Sequence, residues 1–524
     1  MKTATRIWES VEHWAAEKPQ AEALVFNEVR LSWEDFQVEI DRVAKLLLEA
    51  GVGKGDAVAM VAMGCPEFLI TFLATAKAGA VWLGLSPKFT LDELRYVLGH
   101  SQPKVLFTLH SYLGMDLVER GKTFKQEFPC IREVIVLGDA AEGTREYEAF
   151  TRQDRSHLDI ALAERAATVQ PDDEVLLMYT SGSTGKPKGV LHTHAGIIRN
   201  IEVEVKHLGW NEDTRVLLHF PINHVAADVE IGYGAVQAGA AAIFMDRFDP
   251  QASLEVIERE RVTVMGQVPV MYLMQFQTPK FKTMDWSKIK SFIWSGSTAP
   301  QVLLDVLSGI AARTGASLIT GYGSTELCGF VTYSMPGDDL ELLAKSAGKV
   351  VPPFAMKIVD AKRQEVPFGE VGEIAVSGPS LMKGYLKNPA ATAAVLEGGW
   401  YYTSDLGWMN KEGYLFISGR KSEMFKTGGE NVFPREIEEV LEAHPGVIFA
   451  AVIGVPDAMY NEVGKAFIMI KPGQTLDGEM LRDHCKTRLA NFKVPKSFEL
   501  RKELPLLPNG KVNKMALRKE LGLG

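Results

Sequence analysis

Two hydrophobic periods alternate along the first part of the chain. Phe36, Ile40, Val43 and Leu47 recur at three- and four-residue spacing, the stripe of an amphipathic helix. Ser32-Trp33-Glu34-Asp35 precedes the stripe as a capping box, with Asp where Glu or Gln is preferred, and Gly51 follows as a C-terminal cap. The run Asp56 to Met63 that comes next is nearly continuous in apolar residues, as a strand covered on both faces requires. Lys104 to Phe107 and Val134 to Leu137 repeat that pattern. Strands alternating with helices predict parallel sheets with helices packed on their faces.

From about Lys349 the texture changes to short β-type runs separated by glycines: Met356 to Asp360, Gly372 to Gly378, and Gly413 to Ile417. These predict an antiparallel β subdomain over about 349–420. Beyond Gly419-Arg420 the pattern turns α+β, with a helix over Pro434 to Ala443 and a strand over Ala450 to Gly454. The expected fold is α/β. A large N-terminal domain over 1–420 holds αβ-layered subdomains and the β subdomain, and a small mobile α+β domain follows over 421–524. A chain of 524 residues is too long for one ordinary core, which agrees with this division.

Composition narrows the function classes. A 46% hydrophobic and 23% charged make-up is that of a soluble globular enzyme. A net charge of −9 argues against a nucleic-acid binder, since phosphate backbones are held by clustered Lys and Arg. Cys65, Cys130, Cys328 and Cys485 lie far apart without metal-ligand spacing, as expected of reduced thiols in a cytoplasmic protein. The N-terminal stretch lacks the apolar core of a signal peptide. The richest apolar region, Val225 to Met245, is interrupted by Asp228 and Glu230, so no membrane span is expected.

Five segments carry candidate chemistry. Tyr179-Thr180-Ser181-Gly182-Ser183-Thr184-Gly185-Lys186-Pro187-Lys188-Gly189 follows a strand-like run and supplies glycines, hydroxyls and lysines, as a polyphosphate cradle needs. It is not a Walker loop: Pro187 stands where the magnesium-binding Ser or Thr would follow the Lys. In Gly321-Tyr322-Gly323-Ser324-Thr325-Glu326 an aromatic suits a nucleobase and Glu326 suits Mg²⁺. Asp405, in Trp400 to Gly407, suits two ribose hydroxyls, although taken alone it is better explained as capping a turn before Gly407. Gly428-Gly429-Glu430 allows a ligand close to the backbone, and Pro508-Asn509-Gly510 holds Lys511 on a turn.

Each segment alone has a bland reading. In this order, from about Trp8 to Lys514, they resemble the adenylate-forming superfamily of acyl-CoA synthetases, carrier-protein adenylation domains and luciferases. The resemblance implies an acid–thiol ligase that uses ATP, Mg²⁺ and coenzyme A to convert a carboxylic acid through its acyl-adenylate into acyl-CoA. It implies that Thr180, Ser181, Gly182, Ser183, Thr184, Gly185 and Lys186 form the loop shielding the β- and γ-phosphates, with Thr184 among the catalytic groups. Tyr322 would flank the adenine with Gly296, Ser297, Thr298, Gly321, Gly323 and Ser324. Thr325 would meet the α-phosphate, Glu326 the metal, and Asp405 and Arg420 the ribose.

His224 would gate the acyl pocket, and Lys511 would be the movable cation of adenylation. A turn of the small domain about Ser422 would bring Gly428, Gly429 and Glu430 to the pantetheine tunnel. Departures are small: Ser404 stands where many relatives have Gly, and Ser297 replaces a frequent Gly or Ala. His192 and His194 are read as structural, not as a metal pair. The pocket segments Asn223 to Val229, Gly296 to Thr298 and Gly323 to Gly329 carry no Arg or Lys, which disfavours a dicarboxylic acid. A medium-chain, branched, cyclic or aromatic monocarboxylic acid is expected, with Asp228 turned away from it. Coenzyme A is preferred as acceptor because no carrier domain is appended. A carrier-protein thiol and a non-catalytic nucleotide-binding protein are the alternatives, and a homodimer is left open.

Overall fold

The computed structural model describes residues 4–180, 187–296, 299–471, 473–506 and 512–523. The predicted helix forms over Trp33–Glu49 with Phe36, Ile40, Val43 and Leu47 buried on one face. Asp35 closes the capping box as well as Glu would: its carboxylate accepts from Ser32 N at 3.1 Å, and its own N–H donates to Ser32 Oγ at 3.1 Å. Such a cap stabilises a helix by about 1 kcal/mol. Gly51 lies just past the helix at φ +75°, where a Cβ would also collide with Arg132.

Two large sheets carry the N-terminal domain. One has seven strands in the order Ser317–Thr320, Ser291–Trp294, Val264–Gln267, Arg215–Leu218, Ala241–Phe244, Glu22–Phe26 and Val29–Ser32, all parallel except the last hairpin. The other has eight, in the order Gly384–Tyr385, Lys188–Thr193, Glu174–Thr180, Val81–Leu85, Ala57–Val61, Val105–Leu109, Glu133–Leu137 and Arg145–Glu146. The run predicted at Asp56 to Met63 is its fully buried strand Ala57–Val61. Expectation and structure part at Lys188–Thr193, which runs antiparallel to Glu174–Thr180 and pairs Lys188 with Thr180. The two strands that flank the glycine-rich segment are therefore antiparallel neighbours, in agreement with the reading that the segment is not a Walker loop.

Helix Pro66–Lys77, buried along almost its whole length, joins the sheets into one core. Phe68 packs on Trp82 of one sheet at 5.7 Å and on Phe244 of the other at 6.1 Å between ring centroids. Burying a phenyl ring in this way contributes about 1.5–3 kcal/mol.

The glycine-punctuated runs form a five-stranded sheet of Ala355–Val359, Gly372–Ser377, Trp400–Met409, Leu396–Glu397 and Leu415–Arg420. The small C-terminal domain has its own five-stranded sheet and buried core, covered by helices that include Pro434–Glu442 and Gly478–Lys486. Its strand Val447–Asp457 outruns the predicted Ala450 to Gly454 at both ends. Pro456 does not stop it, because it lies one pair from the end of the hairpin with Asn461–Ile470. No helix among the described residues is long and apolar enough to cross a membrane.

Candidate active site

Parallel strands deliver backbone and side chains past their carboxyl ends, and there the candidate residues gather. Strand Ser317–Thr320 leads into Gly321 to Glu326, its neighbour Ser291–Trp294 into Ser295-Gly296, and Arg215–Leu218 toward His224. Glu174–Thr180 of the second sheet ends at Thr180. Ser181, Gly182, Ser183, Thr184, Gly185, Lys186, Ser297, Thr298 and Lys511 lie outside the described residues.

Tyr322, Asp405 and Arg420 come together from three separate segments. Tyr322 is buried, its hydroxyl donates to Asp405 Oδ2 at 2.7 Å, and Arg420 Nε donates to Asp405 Oδ1 at 3.1 Å. Asp405 and Arg420 face each other as cross-strand partners. Burial, and then the Asp405 carboxylate, hold the Tyr322 phenol well above its usual pKa, so it stays a donor. A phenol donor and a guanidinium donor on one carboxylate fix its orientation while lone pairs remain for further donors.

Glu326 is held by partners that spacing did not reveal. Tyr385 Oη donates to Glu326 Oε1 at 3.2 Å, and the Glu326 carbonyl accepts from Met382 N at 2.8 Å. His192 Nε2 meets the Thr325 carbonyl at 2.7 Å, and burial depresses its pKa to about 4, so it donates as a neutral ring. His194 Nδ1 accepts from Ile7 N at 3.4 Å. Both histidines are structural, as expected, and His192 braces the Thr325-Glu326 step. Burial pushes the Glu326 carboxyl above the usual range. Beside it, Ser324 Oγ is buried without a partner among the described residues. An orphaned hydroxyl next to a buried carboxylate fits a phosphate and a divalent cation.

The glycines have local reasons as well. A Cβ on Gly321 would lie 2.3 Å from Thr332 O and one on Gly323 2.1 Å from Gly329 O, so the chain's own carbonyls fill those spaces. Gly428 and Gly429, at φ +60° and +93°, form the two-residue turn between Phe425–Thr427 and Glu430–Val432. Gly296 takes φ +88°. Ser404 takes φ +63°, a conformation that favours glycine. Its backbone bonds, from its N–H to Glu373 Oε1 at 2.9 Å and to its carbonyl from Lys421 N at 2.9 Å, need no side chain. Ser404→Gly is therefore expected to raise stability by up to about 1 kcal/mol, seen as a higher Tm with activity retained. A lower Tm would show that the serine side chain contributes.

His224 Nδ1 accepts from Ala226 N at 3.1 Å, where the π-helical turn Ala226–Tyr233 begins. Asp228 in that turn is fully buried, and neither carboxylate oxygen has a partner among the described residues. The same turn brings Glu230 against Glu204 of helix His194–Leu208, both buried and without an ion-pair partner among the described residues. Asn200 points its amide nitrogen at Leu327 O, Phe330 O and Ser380 Oγ at 3.2–3.3 Å, which leaves Oδ1 unpartnered. A Cβ on Gly329 would lie 3.1 Å from Glu230 Cγ and 3.2 Å from that Oδ1. Sequence reasoning missed this cluster, although charges interrupting the apolar run Val225 to Met245 were its visible trace.

Burial raises both carboxyls, and the neighbouring Glu230 raises Glu204 further. The folded state then binds more protons than the unfolded chain, whose glutamates titrate at about 4.3, so stability falls as pH rises above that range. Cys328 and Tyr333 complete the surroundings and stay neutral, both pushed up by burial and by these carboxylates. Glu230→Gln is expected to flatten the decline of Tm between about pH 4.3, the unfolded value, and about pH 7, where the folded Glu230 titrates. An unchanged slope would place the titration elsewhere.

The AMP-binding enzyme model matches residues 11–386, and the AMP-binding enzyme C-terminal domain model matches residues 436–511. A feruloyl-CoA synthase of Amycolatopsis sp is 34% identical over 511 residues, covering 96% of each chain. An indoleacetate–CoA ligase of Aromatoleum aromaticum is 32% identical over 511 residues, covering 97% of each. The crystal structure of the anthranilate CoA ligase AuaEII in complex with anthranoyl-AMP superposes with a TM-score of 0.89 at 25% identity, covering 99% of this chain and 98% of that one. With a family model matched over most of its length and relatives that align end to end, the chain belongs to the adenylate-forming superfamily of AMP-binding enzymes.

Proposed function

We propose that this chain is an AMP-forming acid–thiol ligase that activates a monocarboxylic acid with ATP and transfers the acyl group to coenzyme A. The observation that carries the reading is the Tyr322–Asp405–Arg420 constellation, a buried aromatic and an oriented carboxylate, beside Glu326. In the first step a carboxylate oxygen of the substrate attacks the α-phosphorus, and the bond to the pyrophosphate oxygen breaks. In the second the thiol sulfur attacks the acyl carbon, AMP leaves, and the thiol proton passes to solvent.

Asp405 accepts from the ribose hydroxyls while Tyr322 and Arg420 keep its carboxylate in place. Thr325, braced through His192, presents its hydroxyl to the α-phosphate. Mg²⁺ would be held by Glu326 and would offset charge on the phosphates. The small domain turns about Ser422, which lies in a turn closed by Glu423 N to Arg420 O at 3.0 Å. That turn withdraws Lys511 and brings Gly428 to Glu430 to the thiol's path.

The substrate is an aromatic or medium-sized acid, a reading supported by the apolar pocket segments and by relatives named for ferulate, indoleacetate and anthranilate. Four free cysteines suit a cytoplasmic location. The test is AMP and pyrophosphate release over a panel of acids with ATP and Mg²⁺, with and without coenzyme A. Rapid turnover with one acid class, dependent on coenzyme A, is expected. Pyrophosphate release that coenzyme A never accelerates would move the acceptor to a carrier-protein thiol.

A further inference from the structure

The residues that flank the Lys511 segment on either side are held together. Leu506 and Val512 form an antiparallel bridge, and Asn513 N donates to Pro505 O at 2.7 Å. Asn513 then caps helix Lys514–Glu520 by accepting from Ala516 N at 2.9 Å. The first residue of that helix makes a contact distant in sequence. Lys514 Nζ lies 2.6 Å from Glu423 Oε2 and 2.8 Å from Glu438 Oε1.

The two carboxylates come from different elements, one in a helix and one in the turn just past the hinge residue Ser422. Glu438 sits in helix Pro434–Glu442, almost fully buried, and the same Oε1 accepts from Val452 N at 2.9 Å. Glu423 is three residues past Arg420, whose carbonyl accepts from the N–H groups of Glu423 and Met424 at 3.0 and 3.1 Å. Lys421, between them, donates its N–H to Ser404 O at 2.9 Å. The connected path runs from the segment beside Asp405 through Arg420 and Glu423 to Lys514, and so to Asn513 and Val512 next to Lys511. Burial opposes the Lys514 charge, and Glu438 and Glu423 outweigh it, so the pair stays ionic. A half-buried ammonium shared between two carboxylates, one of them almost fully buried, has a narrow geometry, because leaving it off centre strands the charge of Glu438.

We infer that Lys514 is a positioning residue for adenylation: through Glu423 and Glu438 it fixes the chain that immediately follows Lys511, Val512 to Lys514, relative to the hinge. This rests on the reading that Lys511 is the cation of the first half-reaction. The mooring matters only when Lys511 is delivered to the α-phosphate, so the thioester step does not depend on it.

The test uses the full-length enzyme and separates the half-reactions. Adenylation is followed by exchange of pyrophosphate into ATP, and thioester formation by reaction of presynthesised acyl-adenylate with coenzyme A. Lys514→Met is expected to lower adenylation kcat about tenfold with KM for ATP and acid unchanged, and to leave thioester formation within about twofold. Lys514→Arg should restore most of the rate. Since removing one partner of a buried pair can unfold a protein, the more exposed Glu423 is changed as well. Glu423→Gln should give the same split with a smaller loss and an unchanged Tm. A parallel fall of both half-reactions, or adenylation unchanged in folded Glu423→Gln and Lys514→Met, would overturn the inference. Lys511→Ala is run alongside. If adenylation survives it, the underlying assignment of Lys511 has failed; if only the Lys514 and Glu423 variants are silent, the mooring alone has.

Discussion

Replacing Lys511 by alanine is expected to lower adenylate formation by about two to four powers of ten, equivalent to ~3–5 kcal/mol of transition-state stabilisation. The argument is one of charge. As the carboxylate attacks, negative charge gathers on the non-bridging oxygens around the α-phosphorus, and only a cation presented there is stronger for the transition state than for bound ATP. The described part of the site supplies little of that. Arg420 is committed to Asp405 at 3.1 Å, and Lys188 lies over the Tyr385 ring at 4.9 Å from its centroid. Glu326 and Asp405 are themselves acids. Of the lysines in the nucleotide motifs, Lys186 and Lys511 are left, and in the proposed reading the first meets the leaving pyrophosphate. The loss should therefore appear in kcat for pyrophosphate exchange, with KM for ATP little changed. Thioester formation from presynthesised acyl-adenylate should stay within about threefold. Adenylation within tenfold of the parent would remove Lys511 from the mechanism.

Local order was legible in the sequence and long-range pairing was not. The spacing of Phe36, Ile40, Val43 and Leu47 yields the helix Trp33–Glu49, because one buried face is a property of the segment alone. Asp56 to Met63 likewise yields a strand covered on both faces. The nucleotide motifs were legible as an ordered set, since Tyr322 and Asp405 are named by residue type and sequence context. Their partners were not. Tyr385 reaches Glu326 across 59 residues because strand Gly384–Tyr385 pairs with Lys188–Thr193, an adjacency set by sheet order and not by local pattern. Glu204 and Glu230 looked like unrelated charges until a helix and a π-helical turn brought them together. Gly321 and Gly323 carry a second reason for glycine that local pattern did not show, since the chain's own carbonyls fill the space of a Cβ there.

Asp405→Ala is expected to reduce kcat/KM for ATP about 100- to 1000-fold, mainly through KM. Two effects add. The carboxylate would lose charge-assisted bonds to the ribose, each worth about 1.5–3 kcal/mol. The partners left behind would also suffer: Tyr322 Oη, now 2.7 Å from Asp405 Oδ2, becomes a buried donor without an acceptor, and Arg420 loses its 3.1 Å contact. An unsatisfied buried hydroxyl carries a penalty of about 1–3 kcal/mol, felt in the free enzyme and in the complex alike. The second effect should therefore appear as a lower Tm and the first as weaker nucleotide binding, so the two are separable. Asp405→Asn tests the division. Its amide oxygen can still accept from Tyr322, so Tm should largely recover, while the lost charge keeps KM for ATP raised. If Tm falls and KM for ATP does not move, Asp405 is a structural bridge between Tyr322 and Arg420, and the ribose must be held by another group.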